Sequence, residues 1–591
     1  MVLLVAMLFG ACADPTSITQ HAANNEQREE SLHQGQPMDV GTVAKEKNAT
    51  AQQSVASSGL VQSEQNAAPT SLSAAPAVGT PVLSSSASQL RSLSPGQPPE
   101  TAMMDFHFPS EPVNRENYAQ FDNNPIKRVA EHPVSTLSID VDTGSYANVR
   151  RFLRSGALPV RDAVRVEEMI NYFSYQYPPP EDATTPFRLI TEIAPTPWNP
   201  HTFLLHIGLK GYEVPSQELP PANLVFLIDV SGSMQSPDKL DLVKSALLLL
   251  SRQLRGSDRL SIVVYAGASG VALESVPGDQ TAKIHNAIES LNAGGSTNGG
   301  AGIRLAYRMA EQAFIKGGMN RVLLATDGDF NVGTVSFAAL KDLVAEKRKT
   351  GISLTTLGVG TGNYNDHLME QLADVGNGHY AYLDSLLEAQ KVLINERSAT
   401  LHTIAKDVKV QIEFNPAVVA EYRLIGYENR ALRREDFQND KVDAGEIGAG
   451  HTVTVLYEIA LVGNQGLRLE PLRYAPTSQA AVMDTTELGF LRLRHKAPDS
   501  ESSQLREWPL RKEAMITEIT QTTEHFRFAA AVAAFGQLLR GGTYTGTFGY
   551  EEVLTLARGA RGDDPFGYRG ELLLLIQLAQ SLSQTKGTVT Q

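Results

Sequence analysis

Cysteine is almost absent: Cys12 is the single one in 591 residues. That excludes an internal disulfide and any thiolate metal cluster. Positive charge is also short, with 51 Lys and Arg against 65 Asp and Glu and a formal net charge of −14. An excess of carboxylates repels phosphates, which argues against nucleic acid or an anionic membrane surface as the main partner and favours a cationic ligand or a divalent metal. Long apolar runs are missing too. The stretch from Val2 to Ala11 is uncharged over ten residues, far below the roughly 20 that a spanning helix needs. "ELLLLIQLAQSL" near the C-terminus is too short to span and reads as a core helix. No G-x-x-x-x-G-K-[ST] phosphate loop occurs, and no Ser–His–Asp, Cys–His or paired-carboxylate constellation can be assigned. What is present is an ordinary globular composition, 42% apolar and 20% charged, in a chain long enough for about four domains of roughly 150 residues.

The opening "MVLLVAMLFGAC", residues 1–12, reads as a signal h-region. Its end, "LFGAC", resembles a bacterial lipobox. The resemblance implies that Cys12 is lipidated and becomes the mature N-terminus, the chain's one contact with a membrane. Ala13 after it is similar to the sorting signal for the outer membrane of two-membrane bacteria. The expected location is therefore the bacterial cell envelope, lipid-anchored, the outer membrane ahead of the inner. A plain cleaved signal peptide, with secretion or a periplasmic protein, is the alternative. Residues 13–110 are rich in Ser, Ala, Gln and Pro with few aromatics. They cannot bury enough apolar surface to offset chain entropy, so they read as a disordered tether.

Residues 111–221 read as an N-terminal α/β flanking region. "TLSIDV" alternates like a strand, "SYANVRRFLRSG" and "RDAVRVEEMINYF" read as helices, and "PFRLITEIAPTPWN" and "TFLLHIGLKGY" as strands. From 222 to 400 a prolonged βα alternation follows. Short continuous apolar runs such as "NLVFLID", "RLSIVVYA", "RVLLAT" and "SLTTLGVG" alternate with amphipathic helices, in one of which Leu240, Val243, Leu247, Leu250 and Leu254 recur at helical spacing. This is the pattern of an α/β domain, a doubly wound, mostly parallel sheet covered on both faces. At 401–500 the period changes to two, as in "DVKVQIEF" and "HTVTVLYEIALV", which predicts an antiparallel β-sandwich. Residues 501–591 read as helices. The strands at 186–212 lack partners of their own before the α/β domain begins. They are expected to join those after 405 in one sandwich into which that domain is inserted.

In a doubly wound sheet, ligands bind outside the carboxyl ends of the strands. Three loops should converge there: "DVSGSM" with Asp229, Ser231 and Ser233, "NAGGSTNGG" with Thr297, and "TDGDFNVG" with Asp327. Two serines spaced two apart can point the same way and offer neutral hydroxyls, which suit a hard divalent ion in octahedral geometry. Asp329 reads as a turn or helix-start aspartate, and His206, His285 and His379 as packing or surface residues.

These loops resemble the metal-ion-dependent adhesion site of the von Willebrand factor A domain, a Rossmann-like fold, and the order of strands and helices over 222–400 agrees. "SIDVDTGSYANVRRFLRSGALPVRDAVRVEEMINYF" and "FRFAAAVAAFGQLLR" are similar to the flanks of bacterial YfbK-type A-domain proteins. The resemblance implies Mg²⁺ (or Mn²⁺ or Ca²⁺) held directly by Ser231, Ser233 and Thr297. Asp229 and Asp327 would act mostly through waters, and one position would be left for an Asp or Glu of a protein partner. The expected function is a metal-dependent binding module of the bacterial envelope and no enzyme. A metal-assisted hydrolase, or an A domain with a purely stabilising ion, are the alternatives.

Overall fold

Short apolar runs separated by amphipathic helices build one sheet between residues 222 and 401. The computed structural model describes residues 115–182, 184–215, 217–296, 298–328, 336–470, 473 and 485–589, all within the unit Met104–Gln591. Cys12 and the tether at 13–110 lie outside the described residues, as do Thr297 and Asp329.

The sheet runs Tyr380–Leu383, Ile352–Val359, Met319–Thr326, Ala222–Asp229, Arg259–Tyr265, Ser269–Pro277. All neighbours are parallel except the last pair. The central strand Ala222–Asp229 is buried along its whole length. Its Leu224, Phe226 and Ile228 enter a core shared with Val243, Leu247 and Leu250 of the helix Leu242–Ser251. Val225 and Leu227 enter a second core with Ile303, Ala306 and Tyr307 of the helix Gly299–Gln312. Burial on both faces is why the strand reads as a continuous apolar run.

The segments on either side of this domain share a β-sandwich. One sheet runs Lys127–Arg128, Val419–Ile425, Thr452–Leu461, Asn199–Gly211, Phe187–Thr196. Its central pairing joins the two halves of the chain, with Leu205 opposite Tyr457. The second sheet runs Ala431–Leu432, Val134–Ser138, Thr403–Phe414, Glu487–Lys496, Ser503–Arg511, with Leu137 opposite Val410. Leu205, Ile207 and Leu209 point into the core between the sheets, beside Leu137, Val410 and Leu491. The alternate residues Leu204 and His206 face outward, onto a layer of helices. That layer contains Gly144–Arg154, Val166–Asn171, Glu524–Leu539, Tyr550–Gly559 and Tyr568–Val589. The helix Glu524–Leu539 is buried almost all round, as expected of a helix apolar on every face. Among the described residues no helix is long and apolar enough to cross a membrane.

Buried arginines fasten the α/β domain to its surroundings. Arg150 reaches Asp384 (2.7 Å), Glu388 (2.7 Å) and Glu571 (2.9 Å). Arg165 pairs with Asp366 (2.6 Å) and Glu168, and Arg430 with Asp374 (2.6 Å) and Asp142 (3.2 Å).

The structure departs from the sequence expectation in three places. The region 111–221 is no flanking unit of its own: its strands at 186–212 join the sandwich as expected, but Val134–Ser138 joins the second sheet as well and its helices pack with the C-terminal ones. The region expected to be helical from 501 begins with the strand Ser503–Arg511. That strand lies on a sheet edge, largely solvated, so polar residues fill it and its period is faint. The run "SLLEAQKVLINERS", 385–398, which reads as one helix, is divided into Leu386–Gln390, a π-turn at Lys391–Asn395, and Arg397–Leu401.

Candidate metal centre

Because the strands are parallel, their C-terminal ends and the loops after them meet at one edge. The register sets Asp229 beside Tyr265 and Ile228 beside Ala325, so Thr326 and Asp327 emerge next to Asp229. Asp229 is fully buried. Its Oδ1 accepts the Ser231 N–H at 2.9 Å, and its Oδ2 accepts the hydroxyls of Tyr265 (3.1 Å) and Thr326 (3.0 Å). Burial, and secondarily the charge of Asp327, raise its pKa above the usual carboxylate value despite these bonds.

Asp327, also buried, accepts Lys239 Nζ at 2.9 Å and Asn363 Nδ2 at 3.1 Å, and is hydrogen-bonded by Ser233. Burial alone would raise its pKa, but the hydrogen bond and charge of Lys239, with the bonds from Ser233 and Asn363, hold it below the usual value. In front of the two acids stand the hydroxyls of Ser231 and Ser233, with their Oγ atoms 3.0 Å apart. Adjacent ligands of an octahedral ion with bonds of 2.0–2.1 Å lie about 2.9 Å from each other. The serine pair therefore fits two neighbouring positions on such an ion. Among the described residues no group of three or more His, Cys, Asp or Glu side chains is arranged to hold a metal, so the donors at this edge are hydroxyls backed by carboxylates.

The loop carrying Thr297 is tied to the same place. Gly294 N–H donates to Val230 O at 2.7 Å and Gly232 N–H to Gly295 O at 3.0 Å. Thus Asp229, Ser231, Ser233 and Asp327 come together, and the residues just before Thr297 run alongside them. Gly328, after Asp327, has φ +87 and lies so close to the loop 360–365 that a Cβ would sit 2.2 Å from Asn365 N.

Four participants escape the sequence pattern: Tyr265, Thr326, Lys239 and Asn363. Thr326 and Tyr265 end the strands flanking Asp229, so strand order alone points to them once the register is known. Lys239 and Asn363 carry no such mark. The lysine stands 88 residues from Asp327 in the chain and reads as an ordinary surface residue at the start of a helix. A further feature is the segment Arg115–Tyr118, which lies along the loop 362–365. Arg115 N–H donates to Gly362 O (2.7 Å), Asn117 N–H to Tyr364 O (2.9 Å), and Gly362 N–H to Glu116 Oε1 (3.1 Å).

Comparison with known proteins gives three family matches along the chain: von Willebrand factor over residues 112–206, von Willebrand factor type A domain over 223–395, and the C-terminal region of uncharacterized protein YfbK over 399–582. The Escherichia coli K12 protein described as uncharacterized protein YfbK is 51% identical over 473 residues, 79% of this chain and 81% of that one. Human inter-alpha-trypsin inhibitor heavy chain H4 is 31% identical over 150 residues, 24% of this chain and 16% of that one. Among solved structures, a von Willebrand factor type A protein from Catenulispora acidiphila aligns over 66% of this chain and 89% of its own, at 16% identity and a TM-score of 0.36.

Proposed function

The chain belongs to the YfbK-type family of von Willebrand factor A proteins, and from that premise we propose that it binds a protein partner through a divalent ion at the Asp229 edge. The observation that carries this is the pair of serine hydroxyls 3.0 Å apart in front of two buried, hydrogen-bonded aspartates. Ser231, Ser233 and Thr297 would hold the ion, with Asp229 and Asp327 supporting them. Mg²⁺ is the favoured ion, and Mn²⁺ and Ca²⁺ share its taste for oxygen. When bound, the ion supplies an electron-poor position that takes a carboxylate.

This chain's own residues set the character of that position. Neutral hydroxyls leave the charge of an ion largely unspent. Both oxygens of Asp229 are already engaged by Ser231, Tyr265 and Thr326, which fixes its orientation. The carboxylates are thereby held in place and are not poised to shuttle protons, which favours a binding module over an enzyme. A lipid anchor at Cys12 would put the site at the cell envelope and make envelope proteins with exposed Asp or Glu its partners.

The test is a pull-down from envelope extracts with Mg²⁺ and with EDTA. A partner should be captured by the wild-type chain only with the metal, and Ser233→Ala should lose it at least about tenfold while keeping the same unfolding temperature. Capture that survives both EDTA and the substitution would leave the ion a stabilising role at most.

A further inference from the structure

Lys239 places an ammonium group inside the oxygen site itself. Its Nζ donates to Asp327 Oδ2 at 2.9 Å and to Asn363 Oδ1 at 3.0 Å, and its side chain is 8% exposed. The fold reserves room for it. Gly360, at φ +73, lies under the lysine stem, where a Cβ would fall 2.3 Å from Cε. A buried ammonium persists only when it is paired, and the partner here is Asp327, the acid that Ser233 also hydrogen-bonds.

The charges then decide the consequence. Asp229 and Asp327 bring two negative charges, and Lys239 one positive charge. With the lysine, a divalent ion meets a site of net −1 and leaves it at net +1; without the lysine it would meet −2 and leave the site neutral. We propose, resting on the metal site described above, that Lys239 is a built-in counter-cation with two opposed effects. It weakens the hold on the ion, and it strengthens the attraction of the loaded site for a carboxylate. Ion and acidic partner then bind best together, because the carboxylate supplies the negative charge that the lysine has cancelled. The shared acid makes the two cations direct competitors at short range, where charge is poorly screened.

The experiment uses full-length protein with Mn²⁺ as the ion and acetate as the carboxylate. Calorimetry gives the Mn²⁺ affinity, and water-proton relaxation of the Mn²⁺-loaded protein follows acetate as it displaces bound water. Lys239→Met removes the charge, and Lys239→Gln removes the charge but keeps a hydrogen-bond donor. In both variants Mn²⁺ should bind about tenfold tighter and acetate about tenfold weaker. A lysine that only props up the loop would, on removal, weaken both together, so opposite shifts are diagnostic. Unchanged or weaker Mn²⁺ binding in the two variants overturns the role of Lys239 while leaving the metal site standing. No Mn²⁺ binding by wild type or variants overturns the metal site and this inference with it. Failure of both variants to fold, with or without millimolar Mn²⁺, makes Lys239 a structural strut and also overturns the inference.

Discussion

At the scale of single residues, the least expected feature is how many carboxylates are buried away from the Asp229 edge. Glu167 is the sharpest case. It is fully buried, its Oε2 has no hydrogen-bond partner among the described residues, and burial followed by the charges of Glu428 and Asp140 pushes its pKa up to about 8. An unfolded glutamate titrates at 4.5. Between these two values the folded chain holds a proton that the unfolded chain has released, so stability falls as the pH rises, by about 1.4 kcal/mol per pH unit for this group. His206 and His451, which burial depresses to about 3, act in the opposite sense: their contribution is lost as the pH falls below 6.5. Glu167→Gln isolates the first effect because the amide mimics the protonated acid. The unfolding free energy of the variant, relative to wild type, should rise steadily from about pH 5 to about pH 8. A difference that stays constant across that window would show that Glu167 is ionised in the folded protein. Nothing in "RVEEMINYF" announces this burial. Glutamates at a helix start read as solvated and dipole-stabilised, and only burial of Glu167 beside the charges of distant Glu428 and Asp140 reverses that, against the opposing backbone hydrogen bond from Tyr427.

At the scale of elements, the site depends on a segment that sequence periodicity does not reveal. The stretch Arg115–Tyr118 is too short and too polar to read as a strand, yet it pairs with the loop holding Asn363, which in turn contacts Asp327 and Lys239. Glu116 is the rivet. Its carboxylate takes two bonds from Arg151, at 2.9 and 2.8 Å, as well as the Gly362 N–H. Glu116→Ala should therefore loosen the loop without touching the serines. Hydrogen exchange of the amides at 360–365 is expected to speed up about tenfold, the loss of a charge-assisted bond, while the helix Gly299–Gln312 keeps its protection. Equal exchange in the variant would mean that the backbone bonds of Arg115 and Asn117 suffice. By contrast, the strands ending at Asp229 and Thr326 are legible in the sequence because both faces are buried, which forces continuous apolar runs. The edge strand Ser503–Arg511 is not, because water satisfies one side of it and permits "SQLREWPLR".

At the scale of the whole molecule, connectivity makes the parts unequal. The α/β domain has two cores that draw almost wholly on residues between 222 and 401, so a fragment of 222–401 should fold alone. Its acids Asp366, Glu370, Asp374, Asp384 and Glu388 would lose Arg150, Arg165 and Arg430 but gain water, which solvates charges at little penalty. The remainder behaves differently. Residues 405–591 alone would leave Thr452–Leu461 without Asn199–Gly211 and Thr403–Phe414 without Val134–Ser138. The helices Glu524–Leu539 and Tyr568–Val589 would also lose the apolar faces supplied by Tyr146, Val149, Met169 and Phe173. Bare strand edges and an uncovered helical face are the ingredients of aggregation. The 405–591 fragment should therefore precipitate or bind a hydrophobic dye, and residues 115–221 supplied on a second chain should restore a soluble, cooperatively unfolding complex. A soluble 405–591 fragment that unfolds cooperatively by itself would mean that the strand pairings across the inserted domain are not what stabilises the sandwich. The insertion is foreseeable from sequence because the strands before 222 have no partners nearby. Which strands they meet is not, since the pairing of Leu205 with Tyr457 spans the entire α/β domain and is fixed only by the way the two apolar faces close on each other.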